Sequence, residues 1–221
     1  MSRLLVLVLS CRKPPYDALW EAQQRTWDSV SVPDVSTLYY WCDELATMPW
    51  RLKLALDSAW DARWDMIFRT NSSSYADKER LLAHAATLPA ERCYQGVEGI
   101  GFASGSGFFL SRDLAMILRL YLENRNYDAI EDEVVGQVLR DQGIHNIPGA
   151  ERIDYWPRPT LVRTQRSPHD ASRIFEPINA TRGATENDVR DTYHVRCKAS
   201  DGDRQKDVEA MEIVHRLKAV V

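Results

Sequence analysis

Three groups of residues in this chain are spaced as chemistry would require. Glu131-Asp132-Glu133 sets three carboxylates in front of Val134, Val135, Val138 and Leu139, an apolar repeat of helical period. Carboxylates in the first turn of a helix stabilise it by about 0.3–1 kcal/mol each, whereas one that faces a cleft can act as a general base. Upstream lies Gly99-Ile100-Gly101-Phe102-Ala103-Ser104-Gly105-Ser106-Gly107. No Gly-Lys-Ser/Thr follows it, so it is not a Walker loop, and its mid-chain place between aromatic residues does not suit a dinucleotide fingerprint. Glycines at this density either let backbone amides approach a ligand or make a turn between strands. The third group is Tyr193-His194-Val195-Arg196-Cys197-Lys198, where Arg196 and Lys198 alternate with Val195 and Cys197. On a strand both cations would face one side, where a phosphate can bind.

The elements that must position these residues follow from periodicity. Residues 4–10 are continuously apolar, as in a strand buried on both faces. After Pro14-Pro15 a helix begins near Asp17, which is placed to cap it, and runs through Leu19, Trp20, Gln23 and Trp27. Val35 to Trp41 is rich in strand formers, residues 49–62 are helical, and Met66-Ile67-Phe68 reads as a third strand. Strand, helix, strand, helix, strand implies an α/β fold with a mostly parallel central sheet flanked by helices. Further helices are expected over residues 77–88, 114–122 (opened by Ser111-Arg112-Asp113), 130–143 and 203–218, the last with Val208, Met211, Val214 and Leu217 on one face. Residues 148–190 are irregular and proline-rich, and five arginines against Asp170 and Glu176 give residues 155–184 a local charge of +3. The chain divides into a core, residues 1–150, and a segment, residues 151–221, that completes the same domain. In such a sheet ligands collect beyond the carboxyl ends of the strands, here residues 10–13, 41–44 and 69–75.

Composition narrows the function classes. With 221 residues, 44% hydrophobic and 27% charged, the chain is an ordinary globular domain rather than a disordered, collagen-like or coiled-coil one. A balance of 28 basic against 32 acidic side chains, net −4, argues against a strongly basic nucleic-acid surface. No apolar run approaches the roughly 20 residues of a membrane helix, so no membrane insertion is expected. The apolar run before Cys11 is too short and too close to Met1 for a signal peptide. Cys11, Cys42, Cys93 and Cys197 are scattered without metal-ligand spacing, which fits reduced thiols and a cytoplasmic location.

Taken in order, several segments resemble one family. They are Arg25-Thr26-Trp27, Leu52-Lys53-Leu54, Arg69-Thr70-Asn71-Ser72-Ser73-Ser74-Tyr75, Phe102 to Ser111, and Glu131-Asp132-Glu133-Val134-Val135-Gly136. The pattern is similar to the fringe and β1,3-galactosyltransferase family of GT-A glycosyltransferases. That family reads Arg-x-Thr-Trp, a Leu-x-Leu-Lys helix, Lys-x-Asp-Asp-Asp-x-Phe, a Tyr-x-Ser-Gly-x-Gly-Tyr-x-Leu-Ser loop and Glu-Asp-Val-x-Val-Gly. The similarity spans about residues 4 to 145 and implies a single Rossmann-like GT-A domain. Ser10, Arg12 and Asp43 would hold the nucleotide of a nucleotide-sugar donor, with Arg25 and Lys53 near its diphosphate. Ser104, Gly105, Ser106 and Gly107 would line the acceptor side beside Glu131. Asp132 would take the proton of the acceptor hydroxyl, which inverts the anomeric carbon. The late His194 is a candidate for the metal and diphosphate region.

One departure is large. The family's Asp-x-Asp, which holds Mn²⁺ or Mg²⁺, is here Asn71-Ser72-Ser73, and amides and hydroxyls are poor substitutes for carboxylates on a hard cation. No metal cofactor is therefore expected, with Mn²⁺ or Mg²⁺ as the alternative. Asn71 and Ser73 would bond the donor, and Lys53, Arg196 and Lys198 would neutralise the departing diphosphate. The leading expectation is an inverting hexosyl- or pentosyltransferase of bacterial or viral glycan synthesis, taking a UDP-sugar to a glycan hydroxyl. Two alternatives stand beside it: the same transfer to a modified DNA base, and a catalytically inactive GT-A-like module that binds nucleotide sugars. Gly105 and Gly107 are expected to tolerate no side chain.

Overall fold

The computed structural model describes residues 3–42, 50–99, 101–122, 129–155, 186–199 and 203–219. Its centre is strand β1 (Leu4–Ser10), whose seven residues are all buried. Leu4, Val6 and Val8 pack on one face of the sheet with Leu19 and Met211. Leu5, Leu7 and Leu9 pack on the other with Leu52, Leu56 and Leu118. That double burial is why the strand reads as unbroken apolar sequence. It lies between β2 (Val35–Trp41) and β3 (Met66–Asn71), parallel to both.

Beyond β3 the sheet changes sense. The glycine run is a strand, β6 (Ala103–Ser111), antiparallel to β3 on one side and to β5 (Tyr94–Glu98) on the other. The five-stranded order is β2-β1-β3-β6-β5, so the sheet is mixed rather than mostly parallel. The reason is local: a hairpin joins β5 to β6, so β6 must return against β3. Gly96 and Gly107 belong to this hairpin because their missing side chains leave room for close neighbours. A Cβ on Gly96 would stand 2.7 Å from those of Ala103 and Phe108.

Helices α1 (Tyr16–Arg25), α3 (Lys78–Ala85) and α7 (Arg204–Ala219) cover one face. The other face is covered by α2 (Trp50–Ala59), α4 (Arg112–Tyr121) and α5 (Glu131–Asp141). Asp17 lies inside the first turn of α1 rather than at its cap, and its Oδ1 accepts from the Ala18 N–H. A second sheet, β4-β8-β7, is formed by β4 (Ser74–Ala76), β7 (Ile153–Asp154) and β8 (His194–Arg196). The short helix α6 (Glu186–Asp191) leads into β8. Among the described residues no helix is long and apolar enough to cross a membrane. Asp43 and nearly all of the arginine-rich segment 155–184 lie outside the described residues.

Candidate active site

Asn71 ends β3, and β4 begins at Ser74 after two intervening residues, so 71–74 form a tight turn beyond the carboxyl end of the parallel strands. The turn is held from within. Asn71 Oδ1 accepts from the Ser73 N–H at 3.2 Å, the Ser73 hydroxyl at 3.0 Å and the Ser74 hydroxyl at 3.3 Å. It is also held from α1: Gln23 Nε2 donates to the Asn71 and Ser74 carbonyls, and Trp27 Nε1 donates to Ser74 at 3.1 Å. Trp27 thus anchors the turn. Arg25, by contrast, is half exposed and pairs with Glu21 and Glu212.

Two elements converge on this turn. From β6, the Ser106 carbonyl accepts from Thr70 Oγ1 at 2.7 Å and Ser74 Oγ at 3.1 Å. From α5, Asp132 Oδ2 accepts from the Gly105 N–H at 2.8 Å. The preceding Glu131 is buried and takes Arg69 Nη2 at 2.5 Å, which ties the start of α5 to β3. Burial pushes the Glu131 carboxyl up, Arg69 opposes that, and the charge of Asp132 adds to it. Asp132 itself remains partly exposed. One carboxylate of the acidic run is therefore sealed in an ion pair while the next is presented at the surface of the site.

Strand β8 pairs antiparallel with β4, next to the turn. Arg196 is the register partner of Ser74, and the Cys197 N–H donates to the Ser73 carbonyl at 2.7 Å. Arg152, just before β7, is 6% exposed. Its Nε and Nη2 reach Asp154 at 2.6 and 3.2 Å, and its Nη1 reaches Ser104 Oγ at 3.0 Å and Ser106 Oγ at 2.5 Å. Arg196 Nη1 lies 3.9 Å from the same Asp154. Burial, then repulsion from Arg152, lowers the Arg196 pKa, which Asp154 and Asp132 partly restore. His194 is fully buried, with Nε2 3.2 Å from Ser74 Oγ. Burial and the charges of Arg152 and Arg196 hold its pKa well below 6.5, so the ring is neutral.

The structure brings together Asn71, Ser73, Ser104, Gly105, Ser106, Gly107, Glu131, Asp132, His194 and Arg196 from the sequence candidates. Ser10 closes β1 and is buried, its hydroxyl without a partner among the described residues. Arg12 lies over the Trp41 ring at 4.7 Å. Lys53 turns to Asp57 within α2 at 2.7 Å. Lys198 follows β8, its pKa lowered by burial and by Arg196. Arg152, Asp154 and the pairing role of Arg69 escaped the sequence reading. The one signal was the spacing Arg152-x-Asp154, which on a strand puts both side chains on one side.

The 71–74 turn offers amide and hydroxyl groups rather than carboxylates. The Asn71 amide oxygen already serves three donors, and His194 is flanked by two guanidinium groups. Among the described residues no three His, Cys, Asp or Glu side chains gather as metal ligands.

This fold serves a known glycosyltransferase. The solved structure of a glycosyltransferase involved in the glycosylation of the major capsid of PBCV-1 superposes with a TM-score of 0.61. The match covers 95% of this chain and 99% of that one at 13% identity. A second solved structure, A197 from STIV, overlaps with a TM-score of only 0.35 at 12% identity, over 62% of this chain and 78% of that one. No family model and no curated protein matches the sequence. The likeness is one of fold, and function must be argued from the site.

Proposed function

We propose that the chain is an inverting glycosyltransferase that moves a sugar from a nucleotide-sugar donor, UDP-linked by the family resemblance, to a glycan hydroxyl. The observation that carries this reading is that a carboxylate and a cation meet on the same stretch of β6: Asp132 holds the Gly105 N–H, and Arg152 holds the flanking Ser104 and Ser106 hydroxyls. The acceptor oxygen attacks the anomeric carbon as Asp132 takes its proton. The bond from that carbon to the diphosphate oxygen breaks, and the electron pair leaves with the diphosphate. A base on one side and charge relief on the other are what an oxocarbenium-like transition state needs. The role of the PBCV-1 neighbour in capsid glycosylation favours a glycan over a DNA base as acceptor.

A panel of nucleotide sugars tests the reading. A donor at 100 times its Kd should stabilise the protein by about 2.7 kcal/mol, visible as a raised Tm. With that donor, Asp132→Asn should turn over about 10²–10⁴-fold more slowly while its donor-induced Tm shift stays the same. Near-normal turnover would remove Asp132 as the base. Donor binding with neither transfer nor hydrolysis in the unaltered protein would mark an inactive binding module.

A further inference from the structure

Buried Arg152 and partly buried Arg196 share one carboxylate, Asp154, near the 71–74 turn. Arg152 is fixed in a planar fork on Asp154, and Arg196 leans on that same carboxylate at 3.9 Å. Arg196 Nε is buried and has no partner among the described residues. Lys198 follows on the same chain segment, and Arg204 is engaged by Asp207 at 2.7 Å. A guanidinium buried without a full counter-charge is costly, and it persists where an anion completes it. Burial first, and the neighbouring guanidinium charges second, lower the pKa values of His194, Arg196 and Lys198.

We propose that Arg152 and Arg196, oriented by Asp154, form a pyrophosphate-binding site that neutralises the leaving group without a divalent cation. The proposal rests on the glycosyltransferase reading and deepens it: the ligand class is the diphosphate of a nucleoside-diphosphate sugar. Position supports it, because Arg196 pairs in register with Ser74, directly after Asn71-Ser72-Ser73, where the resembled family keeps its metal-binding carboxylates. Chemistry supports it too: Arg196 Nε has no partner among the described residues and can donate to a phosphate oxygen, while Arg152, engaged by Asp154, Ser104 and Ser106, adds a fixed positive charge beside it. When the glycosidic bond to the diphosphate breaks, the new negative charge on the phosphate oxygen falls to these donors, while the acceptor proton goes to Asp132. Ser104 and Ser106 hold Nη1 of Arg152 and so fix the direction of the fork.

The test is calorimetric titration of the full chain with inorganic pyrophosphate and with UDP, in EDTA and again in Mn²⁺. Binding of both in EDTA, with Kd changed less than about threefold by Mn²⁺, is expected. Arg152→Met and Arg196→Met should each weaken pyrophosphate at least tenfold, with folding checked by circular dichroism. If Arg152→Met does not fold, Arg152→Lys decides, and it should bind three- to tenfold more weakly because the fork is lost. Binding that requires Mn²⁺, or unchanged Kd in folded arginine variants, overturns the site. If the arginine variants lose pyrophosphate but no nucleotide sugar is ever turned over, the anion site stands and the glycosyltransferase reading falls. Transfer that is abolished by EDTA and restored by Mn²⁺ keeps that reading and overturns the metal-free site.

Discussion

Gly105 and Gly107 lie two residues apart in β6, yet a methyl group on each would meet different atoms. At Gly107 it would stand 2.6 Å from His194 Cε1 and 2.7 Å from Phe68 Cζ, both on buried rings that cannot move aside. At Gly105 it would stand 3.1 Å from Asp132 Oδ2 and 3.2 Å from Arg69 Nη1, where a shift of a few tenths of an ångström suffices. Gly107→Ala should therefore cost about 1–3 kcal/mol by overpacking. Gly105→Ala should leave Tm nearly unchanged while lowering kcat through a displaced Asp132. Paired Tm and kcat measurements check this, and the reverse assignment of effects would refute it. The sequence pointed to both glycines, as a stretch that lets backbone amides approach a ligand or makes a turn; neither has a positive φ, and space is what restricts them. The place of Asp132 in the first turn of α5 was legible because acidic residues ahead of an apolar helical repeat stand out. Arg152 was not, because one arginine in a proline-rich stretch has no periodicity to mark it.

At the scale of elements, the parallel half of the sheet was readable and the antiparallel half was not. Val35–Trp41 matches β2 residue for residue because its strand formers are uninterrupted. The glycines of β6 hide its strand character, since glycine contributes no side-chain pattern and disfavours strands on propensity. The small sheet was equally hidden, being made of two- and three-residue strands drawn from distant parts of the chain. That sheet carries a pH response. Within β8, His194 packs its ring edge-on to Phe68 at 5.2 Å, faces Ser74 Oγ, and has Arg152 and Arg196 as charged neighbours. Its folded pKa is depressed, so below pH 6.5 the unfolded chain binds a proton that the folded one does not. The stability it contributes is thus present above that pH and lost on acidification, by up to about 1.4 kcal/mol per pH unit. Glu131, with its raised pKa, acts oppositely, losing stability as pH rises through its folded value. The His194 share is isolated by comparing the protein with His194→Gln in urea unfolding between pH 7 and 5. The variant should show the shallower fall in stability, and parallel curves would mean that the ring titrates normally.

At the scale of the whole molecule, the question is whether residues 151–221 are an appendage or part of the fold. Val195 of β8 and Val208, Met211 and Val214 of α7 are buried in one cluster with Leu4, Val6 and Phe68 of the central sheet. Helix α7 lies against α1, where Glu212 meets Arg25. Lys218, near the end of α7, reaches Asp77 at 2.9 Å, the residue that caps α3. Each fully buried aliphatic side chain of this kind is worth about 1.5–3 kcal/mol, against a total stability of about 5–15 kcal/mol for an ordinary domain. Losing β7, β8 and α7 together would uncover the part of that face not protected by α1 and α3 and exceed that margin. It would also leave β4 without its partner strand and remove Arg152, Asp154 and Arg196 from the site. A chain ending at residue 150 should therefore lose its cooperative thermal transition and near-ultraviolet circular dichroism, and bind a hydrophobic dye as a collapsed, unpacked state does. A sharp melting transition in that truncated chain would show that the sheet is stable without its C-terminal cover. The site would then have to be regarded as assembled from two separable parts.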